Sequence, residues 1–533
     1  MRRQQSFVQG AMLLAGAAML SKLLGSVYTI VLQNIIGDHG MGLFQMAYPI
    51  YATLLAIATA GFPVAVSKLV AEELARGHTL GARRAFQLSA LFLSSAGVVT
   101  FFILYLWAPE WAQLAGDPAA TLAIRAISPA LLFVPILSAV RGYLQGFEWM
   151  APTAVSQVVE QFVRVATIIG LAIYLIQSGY GTRAAAAGAA FGAVTGAGAG
   201  LLVLLYFWRQ KASLEPTERV GSLSTPRLLG RLLYYAFPIS LGALVVPLMN
   251  NVDVLTVVHL LKQSGVSQRA ATTAFGLLAG RASKLTMLPI TLAAGIGIAV
   301  IPAVSAAAAR GDHDRVRSQV ASAVRLTTMI ALPAAIGMTL LARPIDVVLF
   351  ENVDGWTIIA VLSASVLFAS LQTTTSAVLQ GAGMVYLPVV YMVLAALLKV
   401  VLNLFWVPRF GLVGAALATD VAYALAAYLN IRAVIQRIPG VSFRSLALPQ
   451  VTMASVVMGG GVFALVRGWG LLRDSVAGRL AIGGGTVVAL AVGILLYGLA
   501  VTASGALTSE EIERIPRVGP TCVRWLQRLG LTQ

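Results

Sequence analysis

The chain has 533 residues, of which 58% are hydrophobic and only 11% charged, and its mean hydropathy is +0.85. Soluble domains are typically about 25% charged, so this composition excludes a soluble globular protein and specifies an integral membrane protein. The formal net charge of +17 raises the question of nucleic acid, but a fourteen-span topology with a cytoplasmic N-terminus places 21 Lys and Arg in cytoplasmic segments against 8 outside. That asymmetry is the positive-inside signal, and the loops are too short to fold into a nucleic-acid reader.

In chain order, the apolar spans are 7–36, 43–73, 85–108, 122–147, 153–178, 184–208, 231–261, 272–308, 319–341, 356–381, 388–407, 412–431, 448–467 and 480–503. Each is near or above the roughly 20 residues that a spanning helix needs. The opening MRRQQSF runs into an apolar stretch that continues to Ile36 without a small-residue cleavage site, which reads as a first span rather than a removable signal. The polar link RQKASLEPTERVGSLSTPRLLGR divides the chain after six helices. The expected organisation is a six-helix N-terminal lobe (1–208), a cytoplasmic linker (209–231), a six-helix C-terminal lobe (232–434), helices 13 and 14 (435–503) and a cytoplasmic tail (504–533). Both termini are expected in the cytoplasm.

Self-similarity crosses the link. AGFPVAVSKLVAEELARG, ending at Gly77, matches AGIGIAVIPAVSAAAARG, ending at Gly311, an offset of 234. GYLQG at 142–146 matches AVLQG at 377–381 at an offset of 235, and each is followed by a cation, Arg164 or Lys399, at that same spacing. An even number of helices per repeat gives both halves one orientation, as in transporters built from parallel repeats. The expected fold class is therefore all-α integral membrane, with two parallel six-helix repeats forming N- and C-lobes plus helices 13–14.

Ionisable residues inside the spans are Lys22, Glu160, Arg164, Asp253, Arg281, Lys284, Lys399 and Asp420. Charges in hydrocarbon are costly and mark pathways or ion pairs. Glu160 and Arg164, four apart, satisfy each other on one helix face or serve a site. Five cations against three acids make a positive lining, which suits an anion such as pyrophosphate rather than a cationic drug. Other chemistry is missing from the sequence. There is no GxxxxGK[ST], the four histidines are scattered, and Cys522 is the only cysteine. No nucleophile–base arrangement stands out, so neither an enzyme, a metal nor a cofactor is expected.

SKLLGSVYTIVLQNIIGDHGMGLFQMAYPIYATLLAIATAGFPVAVSKLVAE, RGYLQGFEWMAPTAVSQVVEQFVRV and the two six-helix halves with a trailing pair resemble the stage V sporulation protein B branch of the MOP flippase superfamily. Relatives of that branch include the MurJ lipid II flippases. The resemblance implies a carrier that flips an undecaprenyl-pyrophosphate-linked sugar, a peptidoglycan precursor, across the cell membrane, with helices 13 and 14 forming a groove for the lipid tail. Lys22 resembles an essential first-helix arginine and Lys284 the helix-8 arginine, while two further arginines of the family fall at Tyr28 and near Ala56. The implied head-group site is Lys22, Arg164, Arg281, Lys284 and Glu160.

A sodium site of some relatives corresponds to Asp253, Lys399, Asn403 and Thr419. A charged Lys has no acceptor with which to ligate sodium, so Lys399 is expected to stand in for the ion beside Asp253 or Asp420. A polysaccharide-repeat exporter, a multidrug antiporter of the same superfamily, and a non-transport scaffold for cell-wall synthesis enzymes stay open as alternatives.

Overall fold

The computed structural model describes residues 7–59, 61–211, 225–441, 448–468 and 478–504. Most of the linker, most of the tail with Cys522, and the first six residues lie outside the described residues, as do the expectations that concern them. Every regular element among the described residues is helical.

Contacts divide the chain into two compact units. The first comprises Met1–Gly280 with Asn403–Gly411, and the second Arg281–Leu402 with Leu412–Gln533. The first unit contains α1 (Phe7–Thr59), α2 (Phe62–Ala75), α3 (Thr79–Leu106), α4 (Ala108–Leu114), α5 (Thr121–Ile127), α6 (Ala130–Gly146), α7 (Ala151–Gln177), α8 (Gly181–Lys211), α9 (Thr225–Gln263) and α10 (Gln268–Gly276). The second contains α11 (Ser283–Ala309), α12 (His313–Leu340), α13 (Ala342–Phe350), α14 (Trp356–Leu362), α15 (Ala364–Gly381), most of α16 (Tyr386–Phe410), α17 (Leu412–Arg437), α18 (Leu448–Gly468) and α19 (Arg479–Ala503).

By length and hydropathy, twelve stretches among the described residues qualify as membrane spans, so the chain is a multi-pass membrane protein. The expected count was fourteen, and the difference lies at two places. Met12–Ala75 counts as one stretch of 64 residues, yet at about 1.5 Å per residue it is far longer than one crossing of a roughly 30 Å hydrocarbon core. It bends at Gly37, whose φ of 69° and ψ of 175° interrupt the helix and suit a residue without a Cβ. The second place is α9, of which only Leu228–Phe237 registers as a shorter apolar helix.

The duplication is visible in the backbone of each unit. In the first, a methyl group on Gly146 would lie 2.6 Å from Val70 Cβ and 2.9 Å from Ser67 O; in the second, one on Gly381 would lie 3.2 Å from Val304 Cβ and 2.9 Å from Ile301 O. Each residue of one set is 234 or 235 positions from its counterpart. The turns match as well: Gly77 N–H bonds Leu74 O and His78 N–H bonds Glu73 O, while Gly311 and Asp312 repeat the pattern on Ala308 and Ala307. Glycine at these left-handed turn positions ends the helix without a Cβ clash.

The first core joins α2, α3 and α6 through Phe62, Val66, Leu69, Leu93, Val140 and Leu144, and also takes in Leu228, Leu232 and Ala236 of α9. In the second unit α18 and α19 pack together and onto α12, around Met458, Val462 and Val466. Two polar ties anchor the trailing pair: Tyr497 Oη donates to Met329 O at 2.7 Å, and Arg479 bonds Glu351 and Val348 O.

Candidate functional site

α7 begins with Pro152 at its first turn and lies along α8, its closest neighbour in the first unit. Four glycines of α8 at a spacing of four permit this approach. A methyl group would meet Leu175 at 2.6 Å from Gly188, Ile168 at 2.5 Å from Gly192, Arg164 Cβ at 2.8 Å from Gly196 and Glu160 Cβ at 3.2 Å from Gly200. Small residues at this period are the usual means of bringing membrane helices together. The backbone of Glu160 and Arg164 is thereby pressed against a rigid helix face.

Their side chains form a three-membered charge cluster. Arg164 Nη2 donates to Glu160 Oε1 at 2.6 Å, and Arg141 Nη2 of α6 donates to Glu160 Oε2 at 2.9 Å. Arg141 is itself held by Ser156 Oγ, which accepts from its Nε and Nη2 at 3.0 Å each; the Ser156 hydroxyl in turn donates to Thr153 O at 2.9 Å. The three charged side chains keep between 13% and 19% of their surface exposed, enough for a ligand to reach and too little for full hydration. Arg164 Nε is buried and finds no acceptor among the described residues. Tyr28, Tyr48 and Tyr51 of α1 lie within electrostatic range of Arg164, and Tyr48 and Tyr51 stand 6.0 Å apart, ring to ring. Lys22 lies on α1, with its side chain outside the description.

The remaining predicted residues fall into separate settings. Arg281 is 2% exposed; its Nη1 donates to Asp346 Oδ1 at 2.9 Å and Asn352 Oδ1 at 2.6 Å, and its guanidinium lies 4.6 Å from the centre of the Phe350 ring. Asp346 also accepts Gly355 N–H at 2.8 Å. This charge is met by a buried carboxylate, the arrangement a charge needs away from water. Arg281 is the penultimate residue of a π-helical turn, Leu277–Ala282, and Lys284, half-buried, follows on α11.

Of the ion-site residues, Asn403 Nδ2 donates to Asp253 Oδ1 at 3.2 Å and to Thr256 at 2.9 Å. Thr419 instead bonds back to Ala415 O within α17 at 2.9 Å. Lys399 is 1% exposed and acts electrostatically on Asp420, which accepts the Ser365 backbone N–H.

Sequence reasoning missed Arg141, which entered the positive-inside count as a loop cation but lies inside α6 on Glu160. The available signal was a cation six residues before the end of the 122–147 span, inside the apolar stretch rather than beyond it. It also missed the glycine period of α8, legible as Gly188, Gly192, Gly196 and Gly200.

Residues 7–308 match the family described as polysaccharide biosynthesis protein, and residues 238–405 match MatE. The chain is 32% identical over 510 residues to the uncharacterized membrane protein YabM of Bacillus subtilis (strain 168), covering 95% of this chain and 94% of YabM. It is 31% identical over 512 residues to the lipid II flippase MurJ of the same organism, covering 92% and 94% of the two chains. A solved structure of lipid II flippase MurJ in an inward closed conformation shares the fold with a TM-score of 0.66 at 14% identity, covering 92% of this chain and 98% of that one.

Proposed function

We propose that this chain, which belongs to the polysaccharide biosynthesis protein family and to the MurJ and stage V sporulation protein B branch of the MOP flippase superfamily, flips an undecaprenyl-pyrophosphate-linked sugar. The family is one of transporters, not enzymes. We read the cargo as a peptidoglycan precursor such as lipid II, moved by alternating access from the cytoplasmic to the outer leaflet, with both chain termini in the cytoplasm. Likeness to a lipid II flippase along nearly the whole chain supports that reading.

The observation that carries the anionic head group is the Arg141–Glu160–Arg164 cluster, two guanidiniums on one carboxylate within membrane helices. Its surplus positive charge favours a phosphate-bearing ligand, and Arg is the side chain whose planar fork fits phosphate oxygens. Lys22 and Lys284 are proposed as further head-group cations. Arg281 is left out, because Asp346 already meets its charge. The MatE match favours a second reading, a drug antiporter, but a cationic drug would meet repulsion at this cluster.

The test is translocation of fluorescent lipid II by the purified protein in vesicles. Flipping by the wild type that is lost in Arg164→Ala supports the reading. Wild-type protein that flips no lipid-linked sugar, or Arg164→Ala protein that flips at the wild-type rate, overturns it.

A further inference from the structure

We propose that Arg141 is a positioning residue that sets the charge of the head-group site: by holding one oxygen of Glu160, it prevents that carboxylate from cancelling Arg164. The inference rests on reading the cluster as the anion site. A lone Glu160–Arg164 pair would be neutral and would offer an anion only a dipole. With Arg141 on the second oxygen, one negative charge is shared between two positive ones, leaving a surplus of one. In a site this poorly hydrated, that surplus governs whether a pyrophosphate is attracted, since Coulomb interactions strengthen as water is removed.

The geometry divides the work between the two arginines. Arg141 is committed on both sides, to Glu160 at 2.9 Å and through Nε and Nη2 to the buried Ser156 at 3.0 Å. It has little freedom to turn toward a ligand. Arg164 bonds Glu160 through Nη2, and its Nε is buried without an acceptor among the described residues. A guanidinium carries five N–H donors, so Arg164 retains donors for a phosphate oxygen. Arg141 therefore acts through Glu160, whereas Arg164 is the group placed to touch the ligand. The alternative is that Arg141 only clamps α6 to α7.

The two roles separate by charge rescue. The full-length protein would be titrated with undecaprenyl pyrophosphate and, separately, undecaprenol, for the wild type, Arg141→Gln, Glu160→Gln and the double variant Arg141→Gln/Glu160→Gln. Arg141→Gln makes the cluster neutral and should weaken pyrophosphate binding about tenfold, equivalent to roughly 1.4 kcal/mol, while leaving undecaprenol binding unchanged. The double variant restores the surplus of one and should recover most of the lost affinity. Glu160→Gln, with a surplus of two, should bind at least as tightly as the wild type, and this arm decides the matter if the double variant fails to fold.

Arg141→Gln protein with wild-type affinity, a double variant as weak as Arg141→Gln alone, or a weakened Glu160→Gln variant overturns the inference while leaving the function reading intact. A wild type that does not prefer the pyrophosphate to undecaprenol overturns the reading itself, and the inference with it.

Discussion

The two repeats share a packing template and differ in what they carry on it. In the first, α6 and α7 present Arg141, Glu160 and Arg164; at the corresponding positions of the second stand Ser376, Ala395 and Lys399. Ser376 takes part in a neutral network, accepting from Asn430 at 2.9 Å and Gln372 at 3.0 Å. Yet the backbone beside it matches its counterpart in the first repeat, with Gly146 on Ser67 and Val70 in one unit and Gly381 on Ile301 and Val304 in the other. A close glycine contact depends on helix geometry, which both copies need. On the proposed reading, charge depends on cargo, and one copy carrying the cluster is enough for one head group.

The largest break in this comparison should come from Arg164→Ala. Removing a buried charged partner typically costs 2–5 kcal/mol, so binding and transport should fall by about thirtyfold or more, with protein abundance at the wild-type level. Complementation together with immunoblotting checks both. A loss of abundance with normal activity per molecule would show that the first repeat uses its charges only to hold α7 in place.

Next in size is Gly196→Leu. The first carbon of the new side chain would stand 2.8 Å from Arg164 Cβ, and overpacking of this kind costs about 1–3 kcal/mol. Thermal unfolding in detergent should show a clear drop, and lipid II flipping should fall because α7 is displaced. Gly170→Ala on α7 itself is the control, since nothing lies within 4 Å of the added methyl. Equal effects of the two substitutions would mean that the glycine stripe does not position the site.

Much of this was legible beforehand, because membrane helices declare themselves by length and apolarity. The span from Trp356 to Gly381 was read to the residue, and the duplication emerged from two short matches. The break expected after Ile36, between the first two spans, coincides with the bend at Gly37, but its left-handed backbone was not legible, since a glycine in sequence does not announce its dihedral angles. The partner of Arg281 was missed for a different reason: Asp346 lies 65 residues away on α13, and pairing across such a separation has no local pattern. Glu160 and Arg164 could be read as a pair because they share one helix, whereas Arg141 could not, because it comes from another.

A smaller effect is expected at Lys399, where the second repeat keeps a buried ammonium near Asp420. We read this cation as a substitute for a bound sodium ion, so wild-type flipping should be the same in sodium and potassium media. Lys399→Asn supplies an acceptor that a charged Lys lacks, and its rate should become sodium-dependent. A sodium-dependent wild type would remove this distinction between the repeats.

The smallest expected change is at Glu148, which ends α6 with a left-handed φ of 59°, where the second repeat has Gly383 at φ 85°. The hydrogen bonds around the two are the same, Glu148 and Trp149 N–H to Gln145 and Leu144 O, and Gly383 and Met384 N–H to Gln380 and Leu379 O. A residue with a Cβ is disfavoured there by about 1–2 kcal/mol, whereas glycine forfeits roughly 0.5–1 kcal/mol in unfolded-chain entropy. Glu148→Gly should therefore stabilise the protein by up to about 1 kcal/mol. Because the side chain is exposed, the substitution removes no core contact. The reciprocal Gly383→Glu should destabilise by a similar amount. Paired thermal midpoints measure both shifts. If Glu148→Gly instead lowers the midpoint, the glutamate makes an interaction worth more than its backbone strain, and the α6–α7 turn of the first repeat has a role that its counterpart lacks.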